Sequence, residues 1–232
     1  MGQSTTLLPA VETETAESTT AAVIWLHGLG ADGHDFAPIT YELQMTSHHK
    51  VKFVFPHAPV RPVTINGGFA MRAWYDILGL EEDTRQDAEG LASSGEQIAS
   101  WIDSLVASGI PSQRIVLGGF SQGGALALYH GLQTTTMLGG IVAFSCYLPV
   151  ADTVLNHLHA ANKNTPLLMA HGTKDNVVPY AWGERSANTL KDQGYDVTWH
   201  SYPMAHSVCG EQMQALDHFI AAILAKTSGK GD

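Results

Sequence analysis

A serine can attack an acyl carbonyl only when three helpers stand around it: a base to take its proton, an acid to hold that base in one tautomer, and donors for the oxyanion that forms. The sequence offers such a serine in Gly119-Phe120-Ser121-Gln122-Gly123-Gly124, between the apolar run Ile115-Val116-Leu117 and a helical pattern from Gly124 to Gly131. A serine at a strand-to-helix turn of this kind is predicted to sit in strained backbone with its hydroxyl held above a sheet. Glycines two residues to either side let neighbouring chain pass close. The helix N-terminus behind it favours a developing negative charge. A glycine-rich turn capped by an ordinary serine shares this pattern, so the other parts of the chemistry must be found elsewhere in the chain.

They occur in the order serine, acid, histidine. Asp175 follows the apolar run Pro166 to Ala170, in His171-Gly172-Thr173-Lys174-Asp175, and His206 follows Val197 to Tyr202, in Pro203-Met204-Ala205-His206. In open parallel sheets catalytic groups gather at the carboxyl ends of strands, where all three residues fall. Ser121 is therefore the candidate nucleophile, His206 its base and Asp175 the acid that orients the base. His171 is the rival base, but it stands before the acid rather than after it. Among rival acids, Asp152 follows its strand at some distance, and Asp192 and Asp196 flank Gly194 in what reads as a solvated turn.

The oxyanion needs backbone donors, and His27-Gly28-Leu29-Gly30, at the end of the run Ala22 to Leu26, is a loop of the right kind. The N–H groups of Leu29 and of Gln122, the residue after the serine, are assigned as the two donors. His27 is read as supporting the loop by hydrogen bonding rather than as moving a proton. Neither Cys146 nor Cys209 sits in an elbow, and both read as buried thiols of a reducing compartment. His48-His49 and the pair His157 and His159 lack helical ligand spacing and nearby cysteines, so no metal site is assigned.

These residues need a scaffold of strands ending in loops, and the chain supplies it. Apolar runs at Ala22–Leu26, Val51–Phe55, Ile115–Leu117, Gly140–Phe144, Pro166–Ala170 and Val197–Tyr202 alternate with helical patterns near 87–107, 121–131, 182–193 and 211–226. That alternation predicts an α/β fold with a mostly parallel central sheet flanked by helices. The expected organisation is one domain spanning 1–232, with residues 1–20 an N-terminal extension or hairpin. Residues 56–87 break the alternation, and an irregular segment of that length is read as a substrate-pocket excursion.

Composition narrows the function further. With 22 carboxylates against 12 Lys and Arg, the formal charge of −10 is the wrong sign for gathering nucleic-acid phosphates. The acidic stretch before residue 20 lacks the basic start of a secretory signal, and no run is long and apolar enough to span a membrane. A cytoplasmic protein with no stable membrane insertion is expected, and a homodimer is compatible with the sequence.

Five motifs in order carry a resemblance. They are Leu26-His27-Gly28-Leu29-Gly30-Ala31-Asp32-Gly33-His34-Asp35-Phe36, Pro56-His57-Ala58-Pro59 with Ala73-Trp74-Tyr75-Asp76, the elbow around Ser121, His171-Gly172-Thr173 with Asp175, and Tyr202-Pro203-Met204-Ala205-His206. Together they resemble the carboxylesterase and acyl-protein thioesterase family of α/β hydrolases, from about Ala22 onward. The resemblance implies a small hydrolase with no large lid and no cofactor, acting on carboxylic esters, lysophospholipids or fatty-acyl thioesters. It supports Leu29 and Gln122 as oxyanion donors and Ile77-Leu78-Gly79-Leu80 as an acyl-chain loop; Trp74, Ile77, Leu78, Leu80 and Leu148 are then candidate substrate-binding residues. The continuation Ala31-Asp32-Gly33-His34-Asp35 looks more like the bacterial esterases, which favours a serine carboxylesterase of short- to medium-chain esters. Ala205 and Cys146 depart from the family pattern without touching the candidate triad. An α/β-hydrolase domain that only binds ligand is the alternative of another class, and it would be expected to have lost one of these parts.

Overall fold

The computed structural model describes residues 7–79, 81 and 84–228. The strands are β1 (Ala10–Glu14), β2 (Ala21–Leu26), β3 (Val51–Pro56), β4 (Val60–Val63), β5 (Phe69–Arg72), β6 (Ile115–Phe120), β7 (Gly140–Phe144), β8 (Leu167–Gly172) and β9 (Val197–Tyr202). The α-helices are α1 (Gly33–Phe36), α2 (Ala88–Ala107), α3 (Gln122–Gln133), α4 (Ala151–Asn156), α5 (Tyr180–Asp192) and α6 (Gly210–Ser228).

Seven strands form one sheet in the order β1-β3-β2-β6-β7-β8-β9, parallel except for β1. This is the mostly parallel sheet expected from the alternation of runs, in the α/β-hydrolase fold that the resemblance implies. Its central strands β2, β6, β7 and β8 are buried along nearly their whole length because both faces are covered. In β2, Ala22, Ile24 and Leu26 enter one core, with Leu91, Ile98 and Ile102 of α2, Leu126 and Leu128 of α3, Val154 of α4 and Leu190 of α5. Ala21, Val23 and Trp25 point the other way, into a second core with Phe36 of α1 and Met213, Leu216 and Ile220 of α6. The period of two along one strand thus fixes a layer of helices on each face.

Helix α2 shows how local chemistry sets an element. Asp87 caps it by accepting from Gly90 N–H at 2.9 Å, and Leu91, Ile98, Trp101, Ile102 and Leu105 form its buried stripe. Val106 is exposed, and Trp101 completes the stripe beside Ile102.

Two parts are more regular than their sequence suggests. Within the expected N-terminal extension, Ala10–Glu14 is an antiparallel edge strand on β3, where Lys52 pairs with Glu12 at 2.7 Å and Glu14 at 3.1 Å. Within the 56–87 excursion, β4 and β5 form a hairpin across the Asn66-Gly67-Gly68 turn, with Val60 and Phe69 exposed. Its Pro62 and short runs hide it from a strand reading, because proline is tolerated at an edge where no partner needs its N–H.

Candidate active site

Ser121 joins β6 to α3 with φ 54° and ψ −121°, backbone that an L-residue adopts only under constraint. The constraint is visible on both sides. Ser121 N–H donates to Phe144 O at 2.8 Å, which ties the turn to the end of β7. A Cβ at Gly123 would lie 2.2 Å from Leu26 O, and one at Gly119 would lie 2.4 Å from the Gly123 carbonyl carbon. The glycines at 119 and 123 are therefore required by close chain approach.

His206 reaches this serine from the loop after β9. Its Nε2 lies 2.9 Å from Ser121 Oγ, and its Nδ1 lies 2.7 Å from Asp175 Oδ2. The loops carrying the acid and the histidine are docked on each other: Thr173 N–H donates to Tyr202 O at 2.8 Å and Lys174 N–H to Met204 O at 3.0 Å. Between them, a Cβ at Gly172 would meet Met204 O at 2.4 Å, so only glycine allows this approach. The Asp175 side chain is fully buried, and its Oδ1 accepts from Val177 and Val178 N–H, both at 2.9 Å. Two backbone donors thus satisfy that oxygen away from solvent. The Phe120 ring packs 4.7 Å from the His206 ring and limits its swing.

The neighbouring loop holds His27 in one protonation state. Ala58 N–H donates to Nε2 at 3.0 Å, so that nitrogen carries the lone pair and Nδ1 carries the hydrogen, 2.8 Å from Gly28 O. Burial keeps the pKa of this ring below the ordinary imidazole value. Gly28 C=O and Leu29 N–H belong to one planar peptide and point opposite ways, so fixing the carbonyl also aims the amide. Gln122 begins α3, and an amide in that position has no intrahelical carbonyl to donate to.

The Gln122 side chain has a role the sequence did not reveal. It is buried, accepts from Trp74 N–H at 2.8 Å and donates to Tyr75 O at 2.7 Å, which straps the 73–76 segment to the elbow. Trp74 was expected to touch substrate. It is instead fully buried in the first core, with its indole N–H donating to His27 O at 2.9 Å, so it braces the glycine loop from behind.

Ile77, Leu78 and Leu148 do come together. They line an open cavity of about 210 Å³ with Tyr75, Tyr147 and Trp182, and Asp76, Glu81, Arg85 and Arg185 add polar groups. Leu80, the remaining expected pocket residue, lies outside the described residues. Tyr147 and Trp182, edge to face at 5.3 Å, were not anticipated; a tryptophan in the first turn of α5 was their one sequence signal.

The rival residues fall elsewhere. Asp152 is exposed in the first turn of α4, and Asp192 and Asp196 are exposed around the Gly194 turn. Cys146 is buried, and burial pushes its thiol pKa well up; Cys209, expected to be buried, is half-exposed. Neither is in a disulfide. His171 is fully buried on the far side of Asp175, its Nε2 at 3.2 Å from Asp175 Oδ2 and 2.9 Å from Val178 O. Burial holds the pKa of this imidazole below the ordinary range as well. Among the described residues, no three or more His, Cys, Asp or Glu are grouped to hold a metal ion, and no helix is long and apolar enough to cross a membrane.

Comparison with known proteins agrees with this geometry at the level of family. The family model described as phospholipase/carboxylesterase matches residues 9–224. Acyl-protein thioesterase 1 of Neurospora crassa is 38% identical over 97% of this chain and 94% of its own length, and that of Gibberella zeae is 41% identical over 88% and 91%. The crystal structure of Zea mays acyl-protein thioesterase 2 superposes with a TM-score of 0.84 at 31% identity, covering 94% of this chain and 99% of the other. This chain belongs to the phospholipase/carboxylesterase family of α/β hydrolases, serine hydrolases that act on carboxylic ester bonds.

Proposed function

We propose that the chain hydrolyses short- to medium-chain acyl esters by two-step acyl transfer, with Ser121 as nucleophile, His206 as general base and acid, and Asp175 holding the imidazole. The observation that carries this reading is the unbroken relay of 2.9 Å and 2.7 Å contacts from Ser121 Oγ through His206 to Asp175 Oδ2 on a strained serine. Ser121 Oγ adds to the acyl carbonyl carbon while its proton passes to His206 Nε2, and the N–H groups of Leu29 and Gln122 stabilise the oxyanion. Collapse expels the alcohol or thiol with the proton from His206. Water then attacks the acyl-enzyme by the same route and releases the acid.

The cavity walled by Ile77, Leu78 and Leu148 would take a short to medium acyl chain. A thioester on a protein cysteine is the second reading, favoured by the fungal relatives at 38–41% identity that are named acyl-protein thioesterases. Labelling with a serine-directed fluorophosphonate and peptide mapping tests the nucleophile: modification is expected at Ser121 alone. Ser121→Ala should stay folded and lose on the order of a millionfold in turnover. A folded variant with a tenth of the wild-type rate overturns the assignment. Esters and thioesters of matched acyl chains then separate the two substrate readings.

A further inference from the structure

We propose that His171 is a positioning residue for the candidate triad: its Nε2–H, bonded to Val178 O at 2.9 Å, also lies 3.2 Å from the Asp175 carboxylate oxygen that faces His206. This rests on the reading of Ser121, His206 and Asp175 above. The two atoms facing His171 Nε2, Asp175 Oδ2 at 3.2 Å and Val178 O at 2.9 Å, are both acceptors, so Nε2 carries the hydrogen. Nδ1 is then the bare nitrogen, and it is buried with no hydrogen-bond partner. An imidazole kept for packing alone would bury that nitrogen to no purpose, since a phenyl ring fills the same volume. The nitrogen that carries the hydrogen is bonded to Val178 O and stands beside Asp175 Oδ2.

The surroundings hold the ring in that orientation. Helix α5 closes over it at Gly183, where a Cβ would lie 2.3 Å from His171 Nδ1. Tyr180 meets the ring edge to face at 6.0 Å, and Trp199 of β9 covers another side at 6.4 Å. The titratable groups around His171 are thus Asp175, Tyr180 and, beyond Asp175, His206. His206 itself faces Asp175, Ser121 Oγ and the Phe120 ring.

Asp175 Oδ2 therefore faces two imidazoles, His206 at 2.7 Å and His171 at 3.2 Å. The N–H of His171 beside that oxygen offsets part of its negative charge and so lowers its pull on the His206 imidazolium.

The test pairs His171→Phe with His171→Gln, because a glutamine Nε2 can reach Asp175 while a phenyl ring cannot donate. In His171→Phe the acid limb of the kcat/KM profile should move up by about one pH unit, as the carboxylate's full pull on the imidazolium returns, and kcat should fall about tenfold with KM unchanged. His171→Gln should restore both. An acid limb at the wild-type position in His171→Phe, or equal shifts in the two variants, overturns the proposal. If His171→Phe does not fold, His171→Asn replaces it, since its shorter amide cannot bridge to Asp175; a wild-type acid limb there overturns the proposal equally. Fluorophosphonate labelling of each variant at Ser121 keeps the outcomes apart. A wild-type enzyme labelled elsewhere removes the triad reading itself, whereas Ser121 labelling with an unmoved acid limb removes only the role of His171.

Discussion

Replacing His27 with phenylalanine tests whether the glycine loop is aimed by its histidine. The substitution keeps a ring in the core but deletes the acceptor for Ala58 N–H at 3.0 Å and the donor to Gly28 O at 2.8 Å. The buried Ala58 amide is left unpaired at about 1–3 kcal/mol, and the lost bond to Gly28 O adds about 1 kcal/mol. A total destabilisation of about 2–4 kcal/mol should appear as a lower urea midpoint. The loop does not fall apart, because Ala31 N–H still reaches Gly28 O at 3.3 Å and Gly30 N–H still reaches Arg72 O at 2.9 Å. Removing a whole oxyanion donor costs about a hundredfold to a thousandfold in kcat, so a donor kept but loosely aimed should cost about tenfold to a hundredfold. The loss should fall on kcat and leave KM close to wild type, since the contact is made in the transition state. Steady-state kinetics on a soluble butyrate ester beside urea unfolding measures both. A variant that loses the expected stability but keeps kcat within about twofold of wild type would refute the reasoning, and His27 would then be a core residue without influence on Leu29.

Three further outcomes follow from the same geometry. Asp175→Asn should lower turnover about ten-thousandfold with the fold intact, because an amide can stabilise the wrong tautomer of His206; an unchanged rate would point to another acid. Burial lowers the pKa of His130 to about 4, so its folded ring stays neutral while the unfolded chain takes up a proton below about 6.5. The stability it confers is therefore complete above pH 6.5 and lost as pH falls toward 4, on the order of 3 kcal/mol. Urea midpoints at pH 7 and pH 4.5 should fall less for His130→Phe than for wild type, and equal falls would remove His130 from the account. Leu78→Ala should reduce kcat/KM for octanoate esters by about tenfold relative to butyrate, since one or two buried methylenes give about 1–3 kcal/mol. Equal losses on both esters would place Leu78 outside the acyl contact.

The sheet was legible because burial on both faces leaves long apolar runs, and Ala22–Leu26 or Gly140–Phe144 can hardly be read otherwise. The positions of Ser121, Asp175 and His206 were legible because each follows such a run closely. What the sequence hid depends on side chains meeting across the fold. Gln122 was assigned only its backbone amide, and nothing in Ser121-Gln122-Gly123 announces that its carboxamide straps Trp74 and Tyr75. Trp74 was placed in the pocket through the resemblance, yet its indole N–H faces His27 O inside the core. His171 was set aside by chain order, a rule that sorts bases but is silent on a second imidazole beside the acid. The hairpin of β4 and β5 escaped because edge strands carry too few buried residues to leave a period.

The placement of chemistry at one end of the sheet leaves the opposite end free. Leu29, Ser121, Asp175 and His206 all leave the carboxyl ends of β2, β6, β8 and β9, while the turns at Gly109 and Gly194 lead into the amino ends of β6 and β9. Both turns use left-handed glycines, with open space or only a flexible lysine beside them. Such solvent-facing connections are where chains tolerate new termini and insertions. The molecule is in that sense two-ended: a fused partner or a circularly permuted break can be carried on the amino-end face, at 109 or 194, while the carboxyl-end loops keep their mutual hydrogen bonds.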